Sequence, residues 1–278
     1  MSERFLGKCV IVTGASSGIG AEAAKMFAAE GARLVLTART ADALEQVARE
    51  TGAEAHVIPS DLGDPASIRD MLERAHAALG RIDVLVNNAG TNARGPVEDV
   101  DDEALARIVD VNLRGPVVAS RLVLPFLREA GGGAIVNVAS LAGHVPLPEE
   151  ATYSATKFGL RAFTFALAQE LEGSGITVSA VSPGPVDTGF ITEDLEEVPP
   201  VVFSQPMSSA EDVARLIVEC AADGTLERTC PASSGYLATV GYLAPGLLRL
   251  LRPVLDWQGQ SAKERFIEKH RASKADPA

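Results

Sequence analysis

Apolar and polar positions alternate along this chain in two rhythms. Short, nearly continuous apolar runs recur near residues 8–13, 33–37, 54–58, 82–86, 134–139 and 176–181. Runs of that length and character are what strands buried on both faces look like. Longer stretches lie between them, at 19–30, 41–50, 65–79, 102–129 and 151–172, and read as helices. Strand and helix taken in turn predict a parallel sheet with helices on both faces. A further run, 226–231, is the candidate for a seventh strand. The predicted fold is therefore α/β, a doubly wound parallel sheet of about seven strands. In such sheets the ligand crevice lies at the carboxyl ends of the strands. No internal repeat and no Ser/Gly linker breaks the chain. Residues 1–235 are expected to form the nucleotide-binding and catalytic domain, and 236–278 a helical extension.

The first strand-like run, Lys8 to Thr13, leads into Gly14-Ala-Ser16-Ser17-Gly18-Ile19-Gly20 and then into a good helix-forming sequence. A glycine-rich turn between strand and helix is a phosphate cradle. Gly14 makes the turn, Gly18 lets backbone approach a pyrophosphate, and Gly20 lets helix pack on strand. The helix N-terminus adds free N–H groups and a partial positive charge. The spacing is Gly-x-x-x-Gly-x-Gly rather than the usual Gly-x-Gly-x-x-Gly.

Tyr153 and Lys157 stand four apart in a helical run, so both side chains share one face. An ammonium there can lower the pKa of a phenol and make it a proton donor and acceptor at neutral pH. Ser140 ends the strand-like run 135–140, a suitable place for a hydroxyl that orients a carbonyl. Asn112 lies inside an apolar helical pattern with Ile108, Val109, Val111 and Leu113.

Together these motifs resemble the short-chain dehydrogenases/reductases. Thr13 to Gly20 resembles their cofactor motif. Asp61, the run Asn87-Asn88-Ala89-Gly90, the set Asn112, Ser140, Tyr153 and Lys157, and Pro183-Gly184 with Thr188 follow in the family's order. The resemblance covers about residues 5–190. It implies a Rossmann-type fold and hydride transfer between a nicotinamide cofactor and a carbonyl or secondary alcohol. Tyr153 is then the general acid/base and Ser140 the hydrogen-bond donor to the substrate oxygen. Lys157 tunes Tyr153 and holds the nicotinamide ribose, and the backbone carbonyl of Asn112 binds a proton-relaying water. The cofactor contacts it implies are Gly14, Ser16, Ser17, Gly18, Ile19, Gly20, Arg39, Asp61, Leu62, Asn88, Ala89, Gly90, Tyr153, Lys157, Pro183, Gly184, Val186 and Thr188, with Asp61 at the adenine ring. A binder without turnover has no physical need for a phenol beside a lysine. An epimerase or dehydratase of the extended type would need a larger substrate domain.

The second strand ends Thr37-Ala38-Arg39, with no acid to hold ribose hydroxyls and with an arginine able to grip a phosphate through two parallel hydrogen bonds. NADP(H) is expected over NAD(H). A net charge of −12 argues against nucleic acid as a partner. Cys9, Cys220 and Cys230 lack metal-ligand spacing, no metal is expected, and Cys9 reads as a buried core thiol. No apolar run reaches membrane-spanning length, and no leader precedes the first strand, so the expected location is cytoplasmic.

The stretch 189–207 mixes apolar residues with Glu193, Asp194, Glu196 and Glu197. By resemblance it is a lid over the substrate, and its apolar content predicts an uncharged or lipophilic substrate. His144 reads as a rim residue rather than a substrate contact. Past residue 235 the sequence departs from the family. Residues 242–257 form a short amphipathic stretch that can dock on a second subunit, cover the site or touch a membrane surface. With only two arginines and with Pro253 inside it, protein contact is favoured over lipid, and a homodimer over a tetramer. Residues 260–278 are charged and read as a frayed terminal helix and tail.

Overall fold

The computed structural model describes residues 3–192 and 195–275. Seven parallel strands form one sheet in the order β3-β2-β1-β4-β5-β6-β7. They are β1 Cys9–Thr13, β2 Arg33–Thr37, β3 Ala55–Val57, β4 Val84–Asn87, β5 Gly133–Val138, β6 Ile176–Pro183 and β7 Glu227–Cys230. Every residue of β1 and β4 is buried, which is why these strands read as unbroken apolar runs. The strand order reverses between β1 and β4, so a crevice opens at their carboxyl ends.

The helices are α1 Gly18–Ala29, α2 Ala41–Thr51, α3 Pro65–Leu79, α4 Asp102–Val109, α5 Gly115–Glu129, α6 Ala151–Glu170, α7 Gly189–Thr192, α8 Ala210–Asp223, α9 Ala232–Leu243 and α10 Pro245–Ala275. Two apolar cores lie on opposite sides of the sheet. One joins Val10, Val12, Leu34 and Leu36 to Phe27 of α1 and to Val213 and Ile217 of α8. The other joins Ile11, Leu85 and Ile135 to Ile68 and Met71 of α3 and to Val123 and Leu127 of α5. Alternate residues of each central strand feed alternate cores.

Local chemistry explains most boundaries. The Asp64 side chain accepts the Ala66 N–H, Pro65 takes the first helical position and Gly80 closes α3 in a left-handed turn. Ser209 and Asp212 form a reciprocal capping box on α8. The stretch 102–129, expected as one helix, is α4 and α5 joined by a π-helical turn, Asp110–Arg114. That turn holds Asn112 and widens the backbone spiral at this point.

The largest departure from the sequence reading is at the C-terminal end. The extension expected to be helical contains one long helix, α10, with Pro253 inside it, and its part from residue 260 to 275 is packed where a frayed end was expected. Its second half packs on the stretch after α7. Lys263 Nζ donates to the carbonyls of Glu196 (2.7 Å) and Val198 (2.9 Å). Phe266 meets Phe203 at 5.7 Å between ring centroids. Gly259 lies so close to the turn Pro200–Ser204 that a Cβ there would strike the Pro200 carbonyl. Glu193 and Asp194 lie outside the described residues.

Gly259→Val is therefore expected to push α10 off this turn at a cost of about 1–3 kcal/mol. Limited proteolysis would read it as faster cleavage within 189–207, alongside a lower thermal midpoint. An unchanged cleavage pattern and midpoint would contradict the packing described.

Candidate active site

A cavity of about 770 Å³ opens at the carboxyl edge of the sheet, within the size range of cofactor and ligand sites. Most of the residues expected at a cofactor line it: Gly14, Ser16, Ser17, Gly18, Ile19, Arg39, Leu62, Asn88, Ala89, Gly90, Pro183, Gly184, Val186 and Thr188, together with Ser140, Tyr153 and Lys157. Gly20, Asp61 and Asn112 do not line it.

A dinucleotide fits the cradle. Gly14 and Gly18 take left-handed backbone angles, φ +64° and +54°, which bring backbone N–H groups toward the cavity. Ser17 caps α1 without a side-chain bond, and no acid stands in the first turn, so the helix end keeps its positive character. The far wall is braced by Thr13, whose Oγ1 accepts the N–H groups of Asn88 (2.9 Å) and Ala89 (3.0 Å). The Asn88 side chain returns hydrogen bonds to the carbonyls of Thr13 and Gly14. Gly20 serves packing: a Cβ there would collide with the Gly14 carbonyl.

Asp61, expected at the adenine ring, is held by an arginine beside the cavity. Arg107 of α4 holds its carboxylate through two hydrogen bonds, of 2.6 and 3.0 Å, and the Gly63 N–H adds a third at 2.8 Å. The Arg107 hydrogen bonds, chiefly, lower its pKa. Arg107, not Asp61, faces the cavity. Nothing in the local sequence announced this pairing across 46 residues.

At the other end of the cavity α6 presents Tyr153 and Lys157, one turn apart, as their spacing requires. Lys157 is buried, and its Nζ donates to the Val138 carbonyl at 2.9 Å. Burial pushes its pKa down to about 8. Lys157 Nζ lies 5.6 Å from the centre of the Tyr153 ring. The phenol is not lowered, contrary to expectation. Burial, helped by the charge of Glu150, raises its pKa, while a hydrogen bond with Ser140 and the charge of Arg94 act against this. The reason is that the ammonium is directed at a strand carbonyl and the ring sits in an apolar wall, 5.9 Å from the Phe190 ring. Ser140 lies two residues beyond the end of β5, and its hydroxyl also accepts the Ala142 N–H at 3.1 Å.

Asn112 sits in the π-turn. Its side chain is locked to Thr91, accepting the backbone N–H and donating to the carbonyl, both at 2.8 Å. The amide therefore fastens the loop after Gly90, which lines the cavity, to the helix carrying Asn112. The π-turn relaxes the regular helical bonding around its backbone carbonyl.

Two further arrangements were invisible in the sequence. Arg94 and Glu150 form a buried ion pair at 3.1 Å in the cavity wall, and Arg94 also donates to the Phe190 carbonyl at 2.9 Å and lies over its ring. Burial raises the pKa of Glu150 against the pull of Arg94. His144 is neither a rim residue nor a cavity residue. It is buried, with Nε2 2.9 Å from Glu227 Oε1 and Nδ1 3.3 Å from Thr239 Oγ1. Arg161 grips Glu227 with two bonds of 2.8 Å, and Ser182 donates to it at 2.9 Å. This cluster ties α6, β6, β7 and α9 together behind the site. Among the described residues no group of three or more His, Cys, Asp or Glu could hold a metal.

The family model for short chain dehydrogenase matches residues 8–198, and the chain belongs to that family. It is 33% identical over 256 residues to dehydrogenase/reductase SDR family member 7B of Bos taurus, covering 86% of this chain and 78% of the relative. It is 37% identical over 191 residues to the 2-dehydro-3-deoxy-L-rhamnonate dehydrogenase (NAD(+)) of a Sphingomonas strain, covering 68% and 76%. A crystal structure of 3-ketoacyl-(acyl-carrier-protein) reductase from Brucella melitensis with NADH superposes with a TM-score of 0.74 at 32% identity, covering 81% of this chain and 96% of that one. The protein is thus an oxidoreductase of the short-chain type that uses a nicotinamide cofactor and acts on CH–OH groups.

Glu227 generates a pH-dependent prediction. Burial alone would raise its pKa, but His144 and Arg161 outweigh that and bring it to about 2 from 4.5. A depressed carboxyl contributes stability that is complete above its unfolded pKa and is lost as pH falls through the folded one. Glu227→Gln is expected to lower stability at neutral pH by about 1–3 kcal/mol. Its thermal midpoint should then change less than the parent's between about pH 5 and pH 3. Parallel midpoint-versus-pH curves would contradict the cluster.

Proposed function

We propose that the chain is an NADP(H)-dependent carbonyl reductase for uncharged, lipophilic substrates, with Tyr153 as general acid and base. The observation that carries this reading is the meeting of Ser140, Tyr153 and Lys157 on one wall of a cavity whose opposite end is the glycine-rich turn. The cofactor, when bound, supplies or accepts the hydride. The protein's residues handle the oxygen and its proton.

In reduction the Ser140 hydroxyl donates a hydrogen bond to the substrate oxygen, and the Tyr153 phenol gives it a proton as negative charge develops there. A phenol whose pKa is raised by burial remains protonated at neutral pH, the form that reduction requires. In the oxidative direction Tyr153 must first lose its proton, and the ammonium of Lys157, one helical turn away, stabilises the phenolate. Lys157 binds the nicotinamide ribose, and Asn112 offers its backbone carbonyl to a proton-relaying water. Phe190, held by Arg94, closes the cavity over Tyr153 and helps exclude water. Leu141, Val145, Leu147, Val198 and Val202 give the substrate half apolar walls, which supports a lipophilic carbonyl compound.

The NADP(H) preference rests on Ala38 and Arg39, which stand together at the end of β2 and line the cavity. A guanidinium there pairs with a 2′-phosphate, and no acid repels it.

Three outcomes follow. Tyr153→Phe should retain NADPH binding and lose turnover by about two to four orders of magnitude; substantial remaining activity would remove the proposed acid. Arg39→Ala should raise the Kd for NADPH while leaving that for NADH unchanged, and an equal loss for both would contradict the 2′-phosphate contact. The Lys157 pKa of about 8 predicts that kcat/KM for reduction falls as pH rises past that value. A profile flat through pH 8–9 would contradict a role for the ammonium.

A further inference from the structure

The cavity does not end at the lid. Its outer wall is built by α9 and α10, which are joined through the single residue Ala244. Along α10 the apolar residues Leu247, Leu250, Leu251 and Val254 recur at intervals of three and four, on one helix face, with Trp257 following. Tyr236, Val240 and Leu243 do the same along α9. This face is open to solvent: Tyr236 is 78% exposed, Leu243 and Leu250 76%, and Trp257 70%. A soluble chain rarely leaves a contiguous patch of this kind without a use for it.

Two properties of the patch identify its occupant. The first is charge. Between Pro231 and Gln258 stand two arginines, Arg249 and Arg252, and one acid, Asp256, in a chain whose net charge is −12. Asp256 is taken by Arg252 at 3.3 Å, which leaves Arg249 as the exposed cation of the face. The net negative charge of the chain lies outside this face, which an anionic surface therefore repels less. The second is continuity. Leu237, Val240, Leu247 and Leu251 are exposed and also line the cavity. A second protein copy seated over these residues would cork the mouth. A fluid apolar phase would extend the cavity instead.

We propose that the α9–α10 face seats on an anionic lipid bilayer and that the cavity draws its lipophilic carbonyl substrate from the hydrocarbon boundary. Tyr236, Tyr242 and Trp257 supply the amphipathic aromatic rings that favour the headgroup level, and Arg249 meets the lipid phosphates. The face lies in the interface plane; none of the helices is long and apolar enough to cross a membrane among the described residues. The preference drawn from the sequence for protein contact rested on the short stretch 242–257, the end of α9 and the start of α10. The fold enlarges that stretch by placing the rest of α9, with Tyr236 and Val240, beside it. The seating stands apart from the reductase reading, whereas delivery of substrate rests on it.

Trp257 is the one tryptophan of the chain, and it lies within the patch. Its emission gives a readout independent of turnover. The full chain is titrated with vesicles of phosphatidylcholine containing phosphatidylglycerol, and with vesicles of phosphatidylcholine alone, with pelleting measured in parallel. The expected result is a blue shift and pelleting with the anionic vesicles. Affinity for neutral vesicles should be weaker by roughly fivefold or more per arginine engaged, since each basic residue near such a surface contributes about 1 kcal/mol. The double variant L250E/V254E changes two exposed residues outside the cavity lining and keeps Trp257. It should retain its thermal midpoint and NADPH binding while losing pelleting by about tenfold or more.

No shift and no pelleting with anionic vesicles would overturn the proposal. So would a concentration-dependent dimer in vesicle-free buffer that L250E/V254E dissolves, and equal binding to both vesicle types would overturn the charge argument. Vesicle binding without carbonyl turnover would leave the seating intact and remove the reductase reading instead.

Discussion

The hydrogen bond from Lys157 Nζ to the Val138 carbonyl is the constraint on which the rest of the site depends. A buried ammonium is expensive unless its protons are accepted, and here a strand carbonyl accepts one. The bond fixes α6 against the carboxyl end of β5. With α6 fixed, Tyr153 is held one turn away from Lys157, and Ser140, two residues beyond Val138, is brought to the phenol. The same burial draws the lysine down to about 8 and drives the phenol up. Position and proton affinity thus have one cause.

Around that fixed point the molecule is assembled from long-range polar ties rather than from local ones. Thr13 joins β1 to the loop after β4, Asn112 joins the π-turn to Thr91, and Glu227 gathers His144, Arg161 and Ser182. Each tie is buried or partly buried, so each is worth more than a surface pair. They surround the cavity on the sheet side. On the opposite side the walls are apolar and are contributed by segments that the C-terminal helix holds in place through Lys263 and Phe266. The cavity thus has a polar end braced by hydrogen bonds and an apolar end covered by helices.

The central fold was legible in the sequence because its physics is local. Buried parallel strands need unbroken apolar runs, and α3 carries its own signals in Asp64, Pro65 and Gly80. The glycine-rich turn and the Tyr153–Lys157 pair were equally legible, since spacing alone places them. What the sequence hid depends on partners far along the chain. Arg107 reaching Asp61, Arg94 pairing with Glu150 and Lys263 capping the carbonyls of Glu196 and Val198 are separated by 46, 56 and about 65 residues. No periodicity encodes them. The upward shift of the Tyr153 phenol was missed for the same reason: spacing placed the ammonium close by, while orientation and burial decided its effect.

Hydride transfer to a carbonyl is proposed at the wall formed by Ser140, Tyr153 and Lys157. The most direct measurement is isotope transfer from NADPH deuterated at C4 of the nicotinamide to a panel of lipophilic ketones, with the alcohol products weighed by mass spectrometry. The alcohol should carry deuterium at the former carbonyl carbon, from label on one face of the nicotinamide only. Alcohol formed without deuterium, whichever face is labelled, would contradict it.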